Sequence, residues 1–183
     1  MAVLFERQLF SVSDYYKMAD AGILKPENKV ELLNGEIVKM SPIKSLHAAI
    51  VDFLDEEFKI ALRKVVHCRN QNPIHIDNFS EPEPDLSLVK KRETRYRDRH
   101  PNPNEVFLVV EVSDSTLLKD QTIKKKLYAE ANIPEYWIIN IPESRVEVFK
   151  NPKDGDYAKS EILTEGVLRF EKFDFEIEVK EIF

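Results

Sequence analysis

The pattern of apolar and polar residues along the chain predicts a mixed α/β protein. Residues 45–65 carry apolar side chains every three to four positions, which predicts a long amphipathic helix with Ser45 as its N-cap. Residues 105–112 (EVFLVVEV) are apolar almost throughout, as is typical of a central strand covered on both faces. Further strands are predicted at residues 73–77, 85–89, 136–140, 145–150 and 173–179. These strands are expected to form the sheet on which the long helix packs.

Turn and capping residues organise the N-terminal part of the chain. Ser11 and Asp14 have the spacing of a capping box and Gly22 can end a helix, so a short helix is predicted over residues 11–22. Asn34-Gly35 separates two apolar-rich arms within residues 29–40. Because a type I′ turn needs positive φ at both central residues, this dipeptide predicts a β-hairpin.

A further helix is predicted between two of the strands. Residues 117–133 (LLKDQTIKKKLYAEANI) carry apolar side chains at helical spacing, and Asn132 suits the left-handed position that follows a helix. A strand, a helix and a second strand in this order predict a right-handed crossover. We therefore expect one α/β domain over residues 1–183, with a mixed β-sheet flanked by helices and an N-terminal β-hairpin.

Composition narrows the class of protein. The chain has 183 residues, 43% of them hydrophobic, which suits one core. Cys68 is the only cysteine in the sequence, so no internal disulfide can form, and no run approaches the roughly 20 apolar residues needed to cross a bilayer. The N-terminal MAVLFERQLF has charges inside its apolar stretch, unlike a signal peptide. We therefore expect a soluble cytoplasmic protein without a membrane partner.

The charge is unevenly distributed. A formal net charge of −6 argues against a globally basic nucleic-acid binder, and residues 161–183 are strongly acidic. Residues 90–100 (KKRETRYRDRH) are basic instead. Six cations in this segment are candidate phosphate contacts: Lys90, Lys91, Arg92, Arg95, Arg97 and Arg99. Both segments also fit ordinary solvated loops, and the charge run alone does not decide between the two interpretations.

Two acidic residues stand where a lone carboxylate would be costly to bury. Glu111 lies within the central strand, and Asp85 begins the predicted strand 85–89. Strand alternation predicts one face with Phe107, Val109, Glu111 and Ser113, and the other with Val106, Leu108, Val110 and Val112. If the two strands are neighbours, both acids converge on one divalent ion, and their oxygen ligands suit Mg²⁺.

Asp120 and Lys124 supply a third element of candidate chemistry. They are four residues apart and share a helical face beside the apolar stripe. A lysine there can lean over the carboxylates, where it orients a water or offsets phosphate charge. The alternative is an ordinary surface ion pair, and the spacing does not separate the two. Gly-rich phosphate loops, CxxC pairs, HExxH and GxSxG are absent from the sequence, which excludes nucleotide triphosphate, zinc and serine-hydrolase sites of those types.

An ordered set of short motifs resembles a known family. The set is ELLNGEIVKMSP (31–42), a helix carrying His47, PEPDLSLV (82–89), VVEVSDST (109–116), D-x-x-x-K-x-x-x-Y (120–128) and IPEYWIIN (133–140). It is similar to the Uma-two family of restriction-endonuclease-like proteins, within the PD-(D/E)XK nuclease superfamily. The resemblance covers about residues 11–150 and implies a restriction-endonuclease-like fold.

The resemblance also implies roles for particular residues. Asp85 matches the aspartate of the superfamily's Pro-Asp and Glu111 matches its second acid, both expected to hold Mg²⁺ or Mn²⁺. Ser113 stands where the superfamily has a lysine, and Lys124 looks like its relocated replacement. Glu31 resembles an additional acid near the site. His47, Ser113 and Asp120 are accessory candidates.

The hypothesis from the sequence is a Mg²⁺-dependent endonuclease that hydrolyses DNA, with Asp85, Glu111, Lys124 and Glu31 as catalytic residues and a homodimer expected by analogy. Two alternatives remain open. One is a nuclease fold that binds nucleic acid or protein without cutting. The other is a carboxylate-pair enzyme that acts on a saccharide or small substrate without a metal.

Overall fold

The described part of the chain, residues 6–183 of the computed structural model, contains ten strands and four α-helices. The strands are β1 (Val30–Leu33), β2 (Glu36–Lys39), β3 (Val66–Asn70), β4 (Leu86–Lys90), β5 (Val106–Ser113), β6 (Glu135–Asn140), β7 (Arg145–Lys153), β8 (Asp156–Leu163), β9 (Val167–Phe170) and β10 (Phe175–Glu178). The helices are α1 (Val12–Asp20), α2 (Ser45–Leu62), α3 (Leu117–Lys119) and α4 (Lys125–Glu130). A π-helical turn, Asp120–Lys124, joins α3 to α4.

A six-stranded sheet with the order β3-β4-β5-β6-β7-β8 forms the centre of the fold. β5 and β6 pair in parallel, and the other four neighbouring pairs are antiparallel. The hairpin β1-β2 and the pair β9-β10 form two small separate sheets. The α/β class, the mixed sheet and the N-terminal hairpin are therefore confirmed.

The two faces of the large sheet carry different cores. α2 covers one face, where fully buried Leu54 and Phe58 join Leu108 and Trp137 in the larger hydrophobic cluster. The other face carries a second cluster under α4 that includes Val109, Tyr128, Ile133 and Tyr136. Because burying apolar side chains drives folding, both faces are stabilised, and a polar group on either face needs a partner.

Local signals in the sequence account for several element ends. Ser11 and Asp14 form the predicted capping box at the start of α1. Asn34 and Gly35 both have positive φ, 51° and 78°, as the predicted turn requires. Asn132 also has positive φ, 58°, just beyond α4. The predicted N-cap Ser45 is wrong, because Lys44 occupies that position without a side-chain cap and Ser45 is already helical.

The predicted strand at residues 73–77 is also wrong, and β3, which was not predicted, forms one edge of the large sheet. Backbone N–H groups of this segment donate to other loops, Ile74 to Pro82 and His75 to Pro101. Their carbonyl partners lie outside any strand, so the segment packs as an ordered loop. The predicted strand 173–179 forms as β10, but it pairs with β9 rather than with the large sheet.

The predicted alternation of β5 holds from Leu108 to Ser113 and fails before it. The register shifts between Leu88 and Val89, so that Leu88 pairs with Leu108 but Val89 pairs with Val106. Because of this irregularity, the first two residues of β5 lie on the faces opposite to those predicted. Val106 joins the cluster of Val109, and Phe107 packs against the cluster on the other face. In the described part of the chain, no helix has the length and apolarity that a membrane crossing needs.

Candidate active site

A cavity of about 480 Å³ lies beside the C-terminal end of β5. Val112 at the end of β5 lines it, together with Thr116 just before α3. Seven acidic residues line it: Asp20, Glu31, Glu83, Asp85, Glu111, Asp114 and Asp120. The cavity therefore brings together the four acids predicted from the sequence, Glu31, Asp85, Glu111 and Asp120, which come from four separate places in the chain.

Asp85 and Glu111 lie next to each other because β4 and β5 are neighbours. Leu86 pairs with Val110, so Asp85, immediately before β4, stands beside Glu111. The backbone N–H of Val112 donates to Asp85 Oδ2 at 2.9 Å, and His47 Nε2 lies 3.0 Å from Asp85 Oδ1. The hydrogen bond with Asp85 raises the pKa of His47, against the effect of its burial. The predicted accessory residue His47 is thus in contact with the predicted acid.

Glu111 is buried on the face of the sheet beneath the crossover helix. Its side chain accepts hydrogen bonds from Lys124 Nζ at 2.8 Å and from the Tyr128 hydroxyl at 3.0 Å, both to Oε1. Burial raises the pKa of Glu111 to about 8, because desolvation outweighs the attraction of Lys124 and the nearby carboxylates add repulsion. The group is therefore a buried acid that holds its proton more tightly than an ordinary glutamate.

Lys124 is only 2% exposed and joins Glu111 to Glu31. Its ammonium lies 2.8 Å from Glu111 Oε1 and 3.0 Å from Glu31 Oε2. Lys119 Nζ adds a second cation at 2.7 Å from Glu31 Oε1. Although burial opposes it, the ammonium groups of Lys124 and Lys119 lower the pKa of Glu31. The predicted catalytic residues Glu31, Glu111 and Lys124 are therefore in direct contact.

The π-helical turn presents Lys124 and Asp120 inward. Asp120 Oδ2 accepts hydrogen bonds from Ser113 Oγ at 2.7 Å and Thr116 Oγ1 at 2.6 Å. A π turn inside a helix rotates the following side chains, and such turns are frequent at functional sites. Both Asp120 and Lys124 are buried, so the alternative of a surface ion pair between them is wrong. Ser113 therefore anchors the π turn through its hydrogen bond to Asp120.

The basic segment lies away from this cavity. It follows β4, whereas Asp85 precedes β4, and within residues 6–183 none of the six predicted cations lines the cavity. Arg92 and Arg99 are paired with acids: Arg92 contacts Asp98 and Arg99 contacts Glu105. Lys90, Lys91, Arg95 and Arg97 are exposed.

Tyr96 is not available to stack on a base. Its ring is 6% exposed and lies within 5.1–5.8 Å of the guanidinium carbons of Arg69, Arg92 and Arg99. Its hydroxyl donates to the carbonyl of Lys90. The ring is therefore part of the loop's own core and is not free to stack on a base or to wedge between bases.

Four residues at the site escaped the sequence interpretation. Tyr128 contacts Glu111, and its position four residues after Lys124, on the same helical face, was a usable signal. Lys119 pairs with Glu31, and Glu83 lines the cavity with a pKa raised by burial and by Glu31. Lys29 also lines the cavity. No sequence pattern distinguished Lys119, Glu83 or Lys29 from solvated residues.

The donor chemistry fits a divalent ion bound mainly through water and substrate. Within residues 6–183, no group of three or more histidine, cysteine, aspartate or glutamate side chains is arranged to hold a metal. Mg²⁺, however, keeps several waters and is commonly bound through one or two carboxylates plus phosphate oxygens. Glu111 Oε2 has no hydrogen-bond partner among the described residues, whereas Oε1 has two. Asp85 and Glu111 therefore form a fitting pair of hard oxygen ligands.

Comparisons with known proteins identify the family of the chain. Residues 12–178 match the model of the Uma2 family, which is described as "Putative restriction endonuclease". No curated protein matches the chain.

A solved structure has the same fold. It is a "putative nuclease belonging to DUF820" from Anabaena variabilis, with a TM-score of 0.71 at 12% sequence identity. The similarity covers 94% of this chain and 97% of that one. At this identity the comparison shows a shared fold, and the mixed sheet flanked by helices is the fold of a nuclease-like protein.

Proposed function

This chain belongs to the Uma2 family, and from that premise we propose that it is a divalent-metal-dependent nuclease that hydrolyses phosphodiester bonds in DNA. The observation that carries the proposal is one buried cluster: Asp85 and Glu111 on adjoining strands, with the ammonium of Lys124 2.8 Å from Glu111. Two carboxylates beside a lysine, all facing one cavity, supply the parts that phosphodiester hydrolysis requires.

Asp85 and Glu111 would hold the ion, which supplies Lewis-acid stabilisation of the charge on the phosphate. His47 and the N–H of Val112 orient Asp85, because each bonds a different carboxylate oxygen. Lys124 has three N–H donors, and its two carboxylate contacts leave one for the substrate. That donor orients the attacking water or offsets negative charge that develops on a phosphate oxygen.

Glu31 and Tyr128 act through their neighbours. Glu31 provides a second carboxylate contact to the ammonium of Lys124, and Lys119 balances the charge of Glu31. Tyr128 donates to the same oxygen of Glu111 as Lys124, which fixes the rotamer of that carboxylate. These contacts hold the reacting groups in place, which contributes to catalysis because small misplacements are costly.

The exposed cations Lys90, Lys91, Arg95 and Arg97 would contribute sequence-independent phosphate contacts away from the cavity. Arg92 and Arg99 would contribute less, since each is already paired with an acid. Their removal should flatten the dependence of DNA binding on salt without changing the chemistry at the cavity.

The test is the conversion of supercoiled plasmid to nicked and linear forms with Mg²⁺, Mn²⁺ or EDTA. We expect cleavage with either metal and none with EDTA, and loss of cleavage in Glu111→Gln and Lys124→Met. Glu147→Gln, a change to a buried glutamate on β7, is the matched control that should retain cleavage. Equal cleavage by Glu111→Gln and wild type would contradict the proposal.

The same experiment distinguishes the two alternatives left open by the sequence. A non-cutting nucleic-acid-binding protein would shift DNA in a gel with no nicking under any metal. A metal-free carboxylate-pair enzyme would neither bind nor cut DNA, and its activity on a glycoside would survive EDTA.

A further inference from the structure

The cavity has an apolar wall that hydrolysis of a phosphodiester does not require. Eight aliphatic, proline or methionine residues are part of its lining, and five of them form this wall: Leu24, Pro26, Met40, Pro42 and Ile43. Ile43 is 41% exposed, and Ile23, next to Leu24, is 66% exposed. Apolar surface left open to water beside a charged site indicates a ligand with an apolar face.

This wall comes from two chain connections rather than from the sheet. Leu24 and Pro26 lie between α1 and β1, whereas Met40, Pro42 and Ile43 lie between β2 and α2. Tyr15 of α1 lines the same part of the cavity, and its hydroxyl donates to the carbonyl of Val30. The N-terminal 47 residues therefore supply most of the non-acidic lining.

Two lysines accompany the apolar wall. Lys25 and Lys29 line the cavity, and in the part of the chain that the structure describes neither forms an ion pair within 4.0 Å. Lys44, Lys119 and Lys124, the other lysines of the lining, are each paired with a carboxylate. Lys25 and Lys29 are thus the cations that remain for a phosphate at this wall.

A paired duplex makes poor use of such a wall, because its bases are stacked inside and only sugars and phosphates face outward. An unpaired strand exposes the flat apolar faces of its bases, which stack on apolar side chains while its phosphates meet cations. The volume of about 480 Å³ is that of a pocket for a small molecule and suits single nucleotides rather than a duplex.

We propose that the cavity selects unpaired DNA: the apolar wall of Leu24, Pro26, Met40, Pro42 and Ile43 holds bases, Lys25 and Lys29 hold the phosphates, and the scissile phosphate reaches Asp85 and Glu111. This inference rests on the proposed nuclease function and names its substrate as single-stranded DNA or a locally unpaired segment. Electrostatic attraction alone favours a duplex, because a duplex carries the denser negative charge. A preference for single strands would therefore report contacts with the bases rather than with the phosphates.

The test measures binding and cutting separately. Fluorescence anisotropy with Ca²⁺ in place of Mg²⁺ gives the affinity for a labelled single strand and for the same strand annealed to its complement. We expect tighter binding of the single strand. Ile43→Ser should weaken that binding about tenfold, because apolar contact between the side chain and the face of a base is lost. Binding of the duplex should change less than about twofold.

The matched control is Ile60→Ser, which alters an isoleucine of α2 that is 67% exposed and does not line the cavity. It should leave both affinities unchanged. The ratio of the two affinities within one protein preparation is insensitive to partial unfolding. Equal binding of both forms by wild type, or an equal loss for both forms in Ile43→Ser, would overturn the inference.

Failure of the inference is distinguishable from failure of the proposed function. Metal-dependent cleavage without a preference for single strands refutes the inference and leaves the nuclease proposal intact. A single-strand preference sensitive to Ile43, without cleavage under any metal, supports the inference as a binding site and refutes catalysis. Absence of both refutes both.

Discussion

Glu111 and Glu147 are two buried glutamates in one row of the sheet. The fold raises the pKa of Glu111 and lowers the pKa of Glu147. Glu111 on β5 pairs with Ile138 on β6, which pairs with Glu147 on β7, so the two carboxylates project from the same face. They are 4% and 5% exposed. Burial alone does not distinguish them.

Their partners do distinguish them. Glu147 is surrounded by donors: Gln121 bonds both of its oxygens at 2.9 Å, and Asn140 and Arg145 bond Oε1. Although burial opposes it, these hydrogen bonds lower the pKa of Glu147. Glu111 has donors at one oxygen only and lies near other carboxylates, so burial raises its pKa.

The comparison shows how a structural carboxylate differs from a candidate ligand. Glu147 accepts hydrogen bonds at both oxygens from neutral and cationic donors of its own fold. Glu111 accepts hydrogen bonds at one oxygen only among the described residues, and it lines a cavity that contains other acids. A buried acid therefore indicates a site when its own fold leaves it incompletely bonded.

The largest expected effect is on catalysis. Glu111→Gln should reduce metal-dependent DNA cleavage about a thousandfold, since the amide is a poorer metal ligand and carries no charge. Glu147→Gln should stay within a few-fold of wild type. Initial rates of plasmid nicking measure both. Comparable losses in the two variants would show that the glutamates do not differ in the way proposed.

The next effect concerns the cation that joins the acids. Lys124→Met should lower the free energy of unfolding by about 3 kcal/mol, because it leaves buried carboxylates without their ammonium. Adding Glu111→Gln should recover most of this loss, since Glu31 retains Lys119. Urea denaturation of the two single variants and the double variant completes the cycle. Additive losses would exclude direct coupling between Lys124 and Glu111.

For the free energy of unfolding, the order of the two glutamates is reversed, and the effects are smaller. Glu147→Gln should destabilise the fold by about 2 kcal/mol, because charged hydrogen bonds to Arg145, Gln121 and Asn140 are lost. Glu111→Gln should cost less than about 1 kcal/mol, because an amide resembles the protonated carboxyl that the fold already favours. Thermal or urea unfolding in EDTA provides the measurement. A larger loss of stability in Glu111→Gln than in Glu147→Gln would mean that Glu111, rather than Glu147, has the structural role.

The last expected effect is a change in the pH dependence of stability. The pKa of Glu111 is raised from 4.5 to about 8 in the fold, so the folded state binds more protons than the unfolded chain between these values and stability falls as pH rises. Glu111→Gln should remove up to about 1.4 kcal/mol per pH unit of that decline. The pKa of Glu147 is lowered, so its stabilisation is lost as pH falls below the ordinary range.

Glu147→Gln should therefore remove part of the acid destabilisation and leave the neutral range unaltered. Unfolding free energies of wild type and both variants, measured in metal-free buffer from pH 4 to 9, test this prediction. The comparison with wild type is needed because Glu83 and Asp120 also have raised pKa values and titrate in the same direction.

The sequence was sufficient for the centre of the site. Glu111 is an acid in an otherwise apolar strand and Asp85 follows a proline at a strand start, and pairing of the two strands brings them together. Lys124 was predicted from its spacing after Asp120 and from the family resemblance. The spacing did not predict the π turn, in which Asp120 accepts hydrogen bonds from Ser113 and Thr116.

The errors have a common physical origin. β3 carries His67, Cys68 and Arg69, so it lacks an apolar pattern, and its strand conformation comes from pairing with β4. β8 was missed because its side chains are mostly exposed at the edge of the sheet. The basic segment was predicted to contact phosphates from its charge alone, and its position away from the cavity, which the charge did not predict, follows from the end of β4 at which it lies.

The contact between Glu31 and Lys119 spans 88 positions of the chain. During translation, Glu31 and Asp85 leave the ribosome well before the crossover helix that supplies Lys119 and Lys124. Until that helix emerges, these two acids and Glu111 have neither the Lys119 nor the Lys124 ammonium beside them. Under the proposed function, the capacity to cut is therefore acquired only after both candidate metal ligands have been synthesised.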